Sequence, residues 1–120
     1  MNIHLNEDYN KKYKKLKKIG AGNFTDVYEA KLINCFNKND KRAIKIIKLE
    51  DIRLNLENEN ECENVDKEIN KRINKLKNEI NNMIICGNNN ENSVRYYESY
   101  QNEEEFVIVM ELCHTNLSKF

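Results

Sequence analysis

The chain has 120 residues, and 20 Lys and Arg balance 20 Asp and Glu, so its formal net charge is zero. This length fits one domain or part of one, and a balanced charge is not typical of nucleic-acid-binding proteins, which usually carry a basic surface. The sequence has no apolar run of about 20 residues and starts with eight mostly polar residues, so it predicts neither a membrane span nor a secretory signal.

Four cysteines are spread along the chain at intervals of 27, 24 and 27 residues. These are Cys35, Cys62, Cys86 and Cys113. None of them forms the CxxC spacing that is typical of zinc and redox sites. We therefore expect free thiols in a reducing compartment, which predicts an intracellular protein of the cytoplasm or nucleus.

Residues 1–13 are polar and are predicted to be a loosely ordered N-terminal extension. Six lysines occupy the eight positions from Lys11 to Lys18. Such a run is typical of a solvated strand at the edge of a sheet. A nucleic-acid or membrane surface is the weaker alternative, and it predicts a salt-sensitive association that depends on these lysines.

Three strands are predicted over the next part of the chain. Short apolar stretches lie on both sides of a turn that contains Gly20 and Gly22, which favours a β-hairpin. After a polar loop, the apolar, β-branched run from Arg42 to Leu49 favours a third strand. Together they predict an antiparallel meander.

The acidic, Asn-rich stretch at about residues 50–64 is predicted to be a solvated insertion. In the segment that follows, apolar residues recur every three or four positions, which predicts one stripe on a helix of about six turns. This stripe consists of Val65, Ile69, Ile73, Leu76, Ile80, Met83 and Ile84. Gly87 is the predicted C-terminal stop of the helix.

Two more strands are predicted, from Val94 to Tyr100 and from Phe106 to Met110. The fold class that follows is α+β, with a five-stranded antiparallel sheet and one long helix on one face. Residues 114–120 leave the sheet and begin a helix of barely one turn, with Thr115 or Asn116 as its cap. We therefore expect the sequence to be a truncated part of a longer protein.

The residues at the joints of these elements form an ordered set of motifs. The segment Ile19-Gly20-Ala21-Gly22-Asn23-Phe24-Thr25-Asp26-Val27 has the pattern GxGxxxxV, and Lys45 follows Val27 by 18 residues in the third strand. Glu79 lies in the long helix, and Met110 ends the fifth strand. In this order the sequence resembles the N-terminal lobe of the eukaryotic protein-kinase family, with the lobe at residues 14–113 and its exit at 114–120. The linker after the fifth strand is similar to that of cyclin-dependent and related Ser/Thr kinases.

The resemblance implies an ATP site. Lys45 would orient the α- and β-phosphates, and Glu79 would fix Lys45. The glycine loop over the phosphates would consist of Gly20, Ala21, Gly22, Asn23, Phe24 and Thr25. The implied contacts to adenine and ribose are Ile19, Val27 and Ala43 as an apolar roof, Met110 at the back, the backbone of Glu111 and Cys113, and Asn116 at the ribose.

Two of these assignments have alternatives. Glu68 is the rival of Glu79, but only Glu79 lies near the family's usual distance from helix to fourth strand, 15 residues before Val94. Alternation along its strand places Lys45 on the face of Ala43 and Ile47, where a charge needs a partner or a ligand. The alternative for Lys45 is a surface lysine whose charged end reaches solvent.

The implied function of the full-length parent is transfer of the ATP γ-phosphoryl group to protein hydroxyls, with Ser/Thr specificity expected. The catalytic-loop Asp and the residues that hold Mg²⁺ are absent from this sequence. We therefore expect the metal ligands outside these 120 residues and no activity from the fragment alone. Expected partners are ATP and a protein substrate, with no nucleic acid and no membrane. The alternative is a pseudokinase or another regulatory interaction module without catalysis.

Overall fold

A computed structural model describes residues 2–33, 41–59, 64–89 and 95–112. Within these ranges the chain forms six strands, two α-helices and one 3-10 turn. The strands are β1 (Ile3–Leu5), β2 (Tyr13–Gly22), β3 (Thr25–Leu32), β4 (Lys41–Lys48), β5 (Tyr96–Gln101) and β6 (Glu105–Glu111). The helices are α1 (Leu49–Glu59) and α2 (Val65–Asn89), and the 3-10 turn is Tyr9–Lys11.

All six strands join one sheet in the order β1-β5-β6-β4-β3-β2. The pairs from β2 to β3, β4, β6 and β5 are antiparallel, whereas β1 lies parallel to β5. The α+β class and the meander of three consecutive strands are therefore confirmed. The prediction of five antiparallel strands and one helix is wrong, because β1 adds a sixth strand that makes the sheet mixed and α1 adds a second helix.

Helix α1 occupies most of the stretch that was predicted to be a solvated insertion. Leu49 and Ile52 are buried and Leu56 is half-buried, so apolar residues spaced three and four apart form a short stripe. Glu50 and Asp51 stand in the first turn, where the helix dipole favours negative charge. The acidic composition of this segment thus accompanies a packed helix instead of a loop.

The apolar stripe predicted for the long helix is confirmed in α2. Its buried members are Ile69, Ile73 and Ile80. They pack in one cluster with residues from α1 and from one face of the sheet, including Ala43 and Ile47 of β4. The helix continues to Asn89, so the stop predicted at Gly87 is wrong. A helix tolerates an interior glycine at a cost of about 1 kcal/mol.

The opposite face of the sheet is covered by the N-terminal segment. Tyr9 and Tyr13 are buried there, in a second cluster with Ile44 and Ile46 of β4. The Ser99 N–H donates to Asn2 O at 2.8 Å, and the Asn6 N–H donates to Gln101 O at 2.9 Å. The prediction of a loosely ordered extension is therefore wrong, because this segment supplies both a strand and core aromatics.

Neither helix of the described ranges combines the length and the apolar character that crossing a membrane requires. Both instead carry one apolar stripe that packs in the helix-side core, and apart from Leu54 of α1 the exposed side chains described for them are polar. Burial of these stripes against the sheet removes apolar area from water, which contributes about 25 cal/mol per Å².

Because Ile80 is 1% exposed at the interface of α2 with the sheet, we expect Ile80→Ala to lower the free energy of unfolding by about 3 kcal/mol. Leu54→Ala on α1 is the control, since Leu54 is 50% exposed and should change this free energy by less than about 0.5 kcal/mol. Urea unfolding followed by circular dichroism measures both. Equal, small effects would contradict the packing of α2.

Candidate functional site

The glycine-bearing turn is a tight β-hairpin. Gly22 pairs with Thr25, so only Asn23 and Phe24 connect β2 to β3. The left-handed conformation in this turn falls on Phe24, with φ of 60°, and no glycine of the described residues has a positive φ. A Cβ at Gly20 would lie 3.6 Å from Val27 Cβ, an ordinary contact. The backbone conformation of the turn therefore does not need glycine. The left-handed conformation of Phe24 costs about 1 kcal/mol.

Lys45 lies at the centre of the sheet. It pairs with Val27 on β3 and with Ile108 on β6. Its neighbours on the same face, Ala43 and Ile47, belong to the helix-side core. The predicted face of Lys45 is therefore confirmed, and its half-buried side chain points toward the helices.

A cleft of about 290 Å³ lies between the hairpin turn, β4 and the two helices. The sheet side contributes Asn23, Phe24, Thr25, Lys45 and Ile47. The helix side contributes Ile52, Arg72, Lys75, Leu76 and Glu79. The structure thus brings Lys45 and Glu79 to one cleft beneath the turn.

The ion pair between Lys45 and Glu79 that the resemblance implies is not formed. Among the described residues, neither of them has an oppositely charged partner within 4.0 Å, and Glu79 is exposed on α2. Arg72 Nε lies 3.9 Å from Glu68 Oε1, so the rival carboxylate pairs within its own helix. The cleft lining holds three cations, Lys45, Arg72 and Lys75, and one carboxylate, Glu79. Although Glu68 pairs with Arg72 from outside the lining, the net positive charge of the lining favours an anionic ligand.

The residues implied for adenine lie beside this cleft but do not line it. Val27 and Ala43 are buried, and Ile19 is half-buried. Ala43 pairs directly with Met110, which is buried at the end of β6. Glu111 is exposed, and its N–H donates to Arg95 O at 2.7 Å. Cys113 and Asn116 lie outside the described residues.

Most of the lysine run is engaged within the fold. Lys12 pairs with Glu98 at 2.9 Å, Lys17 with Glu29 at 3.7 Å and Lys18 with Asp26 at 2.9 Å. Lys15 lies over the rings of Tyr9 and Tyr28, at 5.5 and 4.9 Å from their centroids. These contacts involve four of the six lysines, and all six remain exposed. The alternative of a nucleic-acid or membrane surface stays a prediction.

Two carboxylates on β3 connect its neighbouring strands. Asp26 accepts from Lys48 of β4 and Lys18 of β2, both at 2.9 Å, and these hydrogen bonds hold its pKa below the usual value. Glu29 pairs with Lys41 at 3.0 Å, which likewise lowers the pKa of Glu29. The strands around the cleft are therefore fastened together by charge as well as by their backbones.

A buried carboxylate on the other face of the sheet was missed by sequence reasoning. Glu98 accepts from Tyr13 Oη at 2.6 Å, Tyr100 Oη at 2.8 Å, Lys12 Nζ at 2.9 Å and His4 Nε2 at 3.2 Å. A signal was present, because a single acid interrupts the aromatic strand around Tyr97 and Tyr100. Three of its partners, His4, Lys12 and Tyr13, could not be foreseen, since they come from a segment about 90 residues earlier in the sequence.

The pKa of Glu98 is the outcome of two opposing effects. Burial by itself would raise this pKa, but donation from Tyr13, Lys12, Tyr100 and His4 outweighs burial and lowers it to about 2. The same contacts act in reverse on the phenols, because burial and donation to Glu98 raise the pKa of Tyr13 and Tyr100. Glu98 therefore stays ionised, and both tyrosines stay protonated as its donors.

Comparison with known proteins does not assign the cleft. Neither a scan against protein-family models nor a search of curated proteins finds a match for this chain. Arguments about function therefore depend on the residues that the fold brings together.

Because the folded pKa of Glu98 lies below its ordinary value of 4.5, its stabilisation is fully present above pH 4.5 and is lost as pH falls through about 2. Glu98→Gln should lower the free energy of unfolding at pH 7 by about 2 kcal/mol. Between pH 4.5 and about 2, the free energy of unfolding should fall less steeply in this variant than in the wild type. Urea titrations at several pH values measure this. Glu103→Gln, in the exposed β5–β6 turn, is the control and should retain the wild-type pH dependence. A Glu98→Gln variant with that same dependence would contradict the assignment.

Proposed function

We propose that this chain forms the ATP-binding lobe of a Ser/Thr protein kinase. The observation that carries the proposal is the meeting of Lys45, from the central strand, and Glu79, from α2, at one cleft beneath the β2–β3 turn. Lys45 stands on an otherwise apolar strand face and has no acidic partner within 4.0 Å among the described residues, and the phosphates of ATP would supply an anionic partner.

In the proposed complex, Lys45 donates to oxygens of the α- and β-phosphates. The turn residues Asn23, Phe24 and Thr25 cover the phosphates from the sheet side. Glu79 holds Lys45 in place once the two side chains approach each other, since a carboxylate and an ammonium attract each other at short range. The role proposed for these residues is to bind and orient the phosphates.

Adenine would lie against the apolar surface next to Lys45. Val27 faces Lys45 across the strand pair and Ala43 is two residues from it. Because both side chains are buried, adenine would contact them only after the side chains that cover them move. Met110 would close the back of the pocket, and the backbone from Glu111 to Cys113 would read the edge of the base. Asn116 would contact the ribose.

Phosphoryl transfer needs groups that this sequence does not contain. Mg²⁺ neutralises charge on the phosphates, and a catalytic-loop Asp accepts the substrate proton. Both functions would come from residues of the parent protein outside these 120. The described residues contain no cluster of three carboxylate, cysteine or histidine side chains able to hold a metal ion, so no transfer step is assigned to them.

A second candidate is a pseudokinase or regulatory module that lacks catalysis. The separation of Lys45 from Glu79 by more than 4.0 Å favours it, because a catalytic lobe needs that pair. Nucleotide binding distinguishes a degenerate nucleotide site from an intact one.

Lys45→Met should weaken the binding of ATP to the chain at least tenfold, because it removes a charge-assisted contact to phosphate that contributes about 1.5–3 kcal/mol. Isothermal titration calorimetry measures this affinity. Lys31→Met is the matched control, since Lys31 is an exposed lysine on β3 that does not line the cleft, and it should bind as wild type does. Equal affinities for all three proteins would contradict the proposal.

The 120-residue chain should transfer no phosphate to protein substrates, because the catalytic Asp and the metal ligands are missing from its sequence. Incorporation of labelled phosphate into a general kinase substrate in the presence of Mg²⁺ measures this. Transfer at an ordinary kinase rate of about 1–100 s⁻¹ would overturn the assignment of roles.

A further inference from the structure

Two cations of the cleft have no role in the proposed ATP contacts. Arg72 and Lys75 lie three residues apart on α2 and therefore share one face of the helix. Lys75 precedes Glu79 by four residues, so all three side chains point to the same side and line the cleft with Lys45. The helix thus contributes two positive charges where the phosphates of a nucleotide would end.

Among the described residues neither cation donates a hydrogen bond to a carboxylate, although Arg72 forms a long ion pair with Glu68. In the described part of the chain Lys75 has no acidic partner within 4.0 Å, and Arg72 meets Glu68 only at 3.9 Å through Nε. The guanidinium of Arg72 has four further N–H donors, in a planar fork that matches phosphate oxygens. With Lys45 included, three cations face one carboxylate, and this matches a ligand that carries several negative charges in a short chain.

We propose that Arg72 and Lys75 bind the terminal phosphate of a nucleoside triphosphate, so that the cleft recognises the length of the polyphosphate chain. The inference deepens the proposed function and rests on it for the nucleoside part of the ligand. Lys45 holds the inner phosphates on the sheet side, and α2 holds the outer one. Because both contacts come from this chain, this binding does not require a divalent cation.

The affinity of the cleft should therefore rise with the number of phosphates. Isothermal titration calorimetry of the 120-residue chain in EDTA, with ATP, ADP, AMP and inorganic tripolyphosphate, tests this. We expect ATP to bind about tenfold more tightly than ADP, as one lost charge-assisted contact implies. Arg72→Gln and Lys75→Gln should each remove most of this preference, because each weakens the binding of ATP more than the binding of ADP.

Lys71→Gln is the matched control. It removes one positive charge from an exposed position of the same helix that does not line the cleft, so the preference for ATP should persist. Arg72 and Lys75 are also exposed, and urea unfolding midpoints equal to wild type show that each variant folds.

The possible results separate the two proposals. Equal affinities for ATP and ADP, with dependence on Lys45, overturn this inference and leave the proposed function standing. Tripolyphosphate that binds as tightly as ATP, and loses affinity in Arg72→Gln, supports this inference and contradicts the nucleotide function, because adenine then contributes nothing. Failure of every ligand to bind overturns both.

Discussion

Alternation along β4 is the constraint on which the whole structure depends. This strand lies inside the sheet between β3 and β6, and both of its faces are buried. Ala43 and Ile47 pack under the helices, while Ile44 and Ile46 pack under the N-terminal tyrosines. A slip of one residue would exchange the two sets, and it would turn Lys45 away from the cleft. The register that fills two cores is therefore the register that aims this cation at α2.

The second core makes the N-terminal segment part of the domain. The residues of the N-terminal segment come from one end of the sequence, and Glu98 comes from near the other end. An ionised carboxylate inside a protein is strongly disfavoured unless donors surround it, and here phenols, an ammonium and an imidazole do so. The sheet can consequently fill its helix-free face with tyrosine rings, because the polar ends of two of them are satisfied at Glu98.

The features that could be predicted from the sequence are those whose pattern lies within a short stretch of the chain. The stripe of α2 and the paired strands of the meander could be predicted, because each pattern repeats within a few neighbouring residues. The face of Lys45 followed from the same alternation. Strand β1 could not be predicted, since three residues are too few to show a period and its pairing with β5 spans most of the chain. Composition was misleading for α1, whose acidic surface concealed Leu49 and Ile52.

The candidate site shows the same division. Lys45 and Glu79 share a cleft because of the order of the strands and the placement of the helix. A family resemblance is enough to predict these two features. Whether they form a close pair depends on side-chain positions of a few ångströms, which no spacing determines. The contribution of Arg72 and Lys75 was equally hidden, because on a helix rich in Lys and Asn nothing in the sequence marks these two among the other basic residues.

The parallel pairing of β1 with β5 also bears on how the chain reaches its native state. Asn2 and Ser99 are joined by a backbone hydrogen bond although 97 positions separate them. Contacts of such long range slow folding, because a large loop must close before they form. On the ribosome, the first strand emerges early and stays without its neighbour until β5 has been made. The edge of the sheet that β1 forms with β5 is therefore completed late, although one of its two strands is the first to be made.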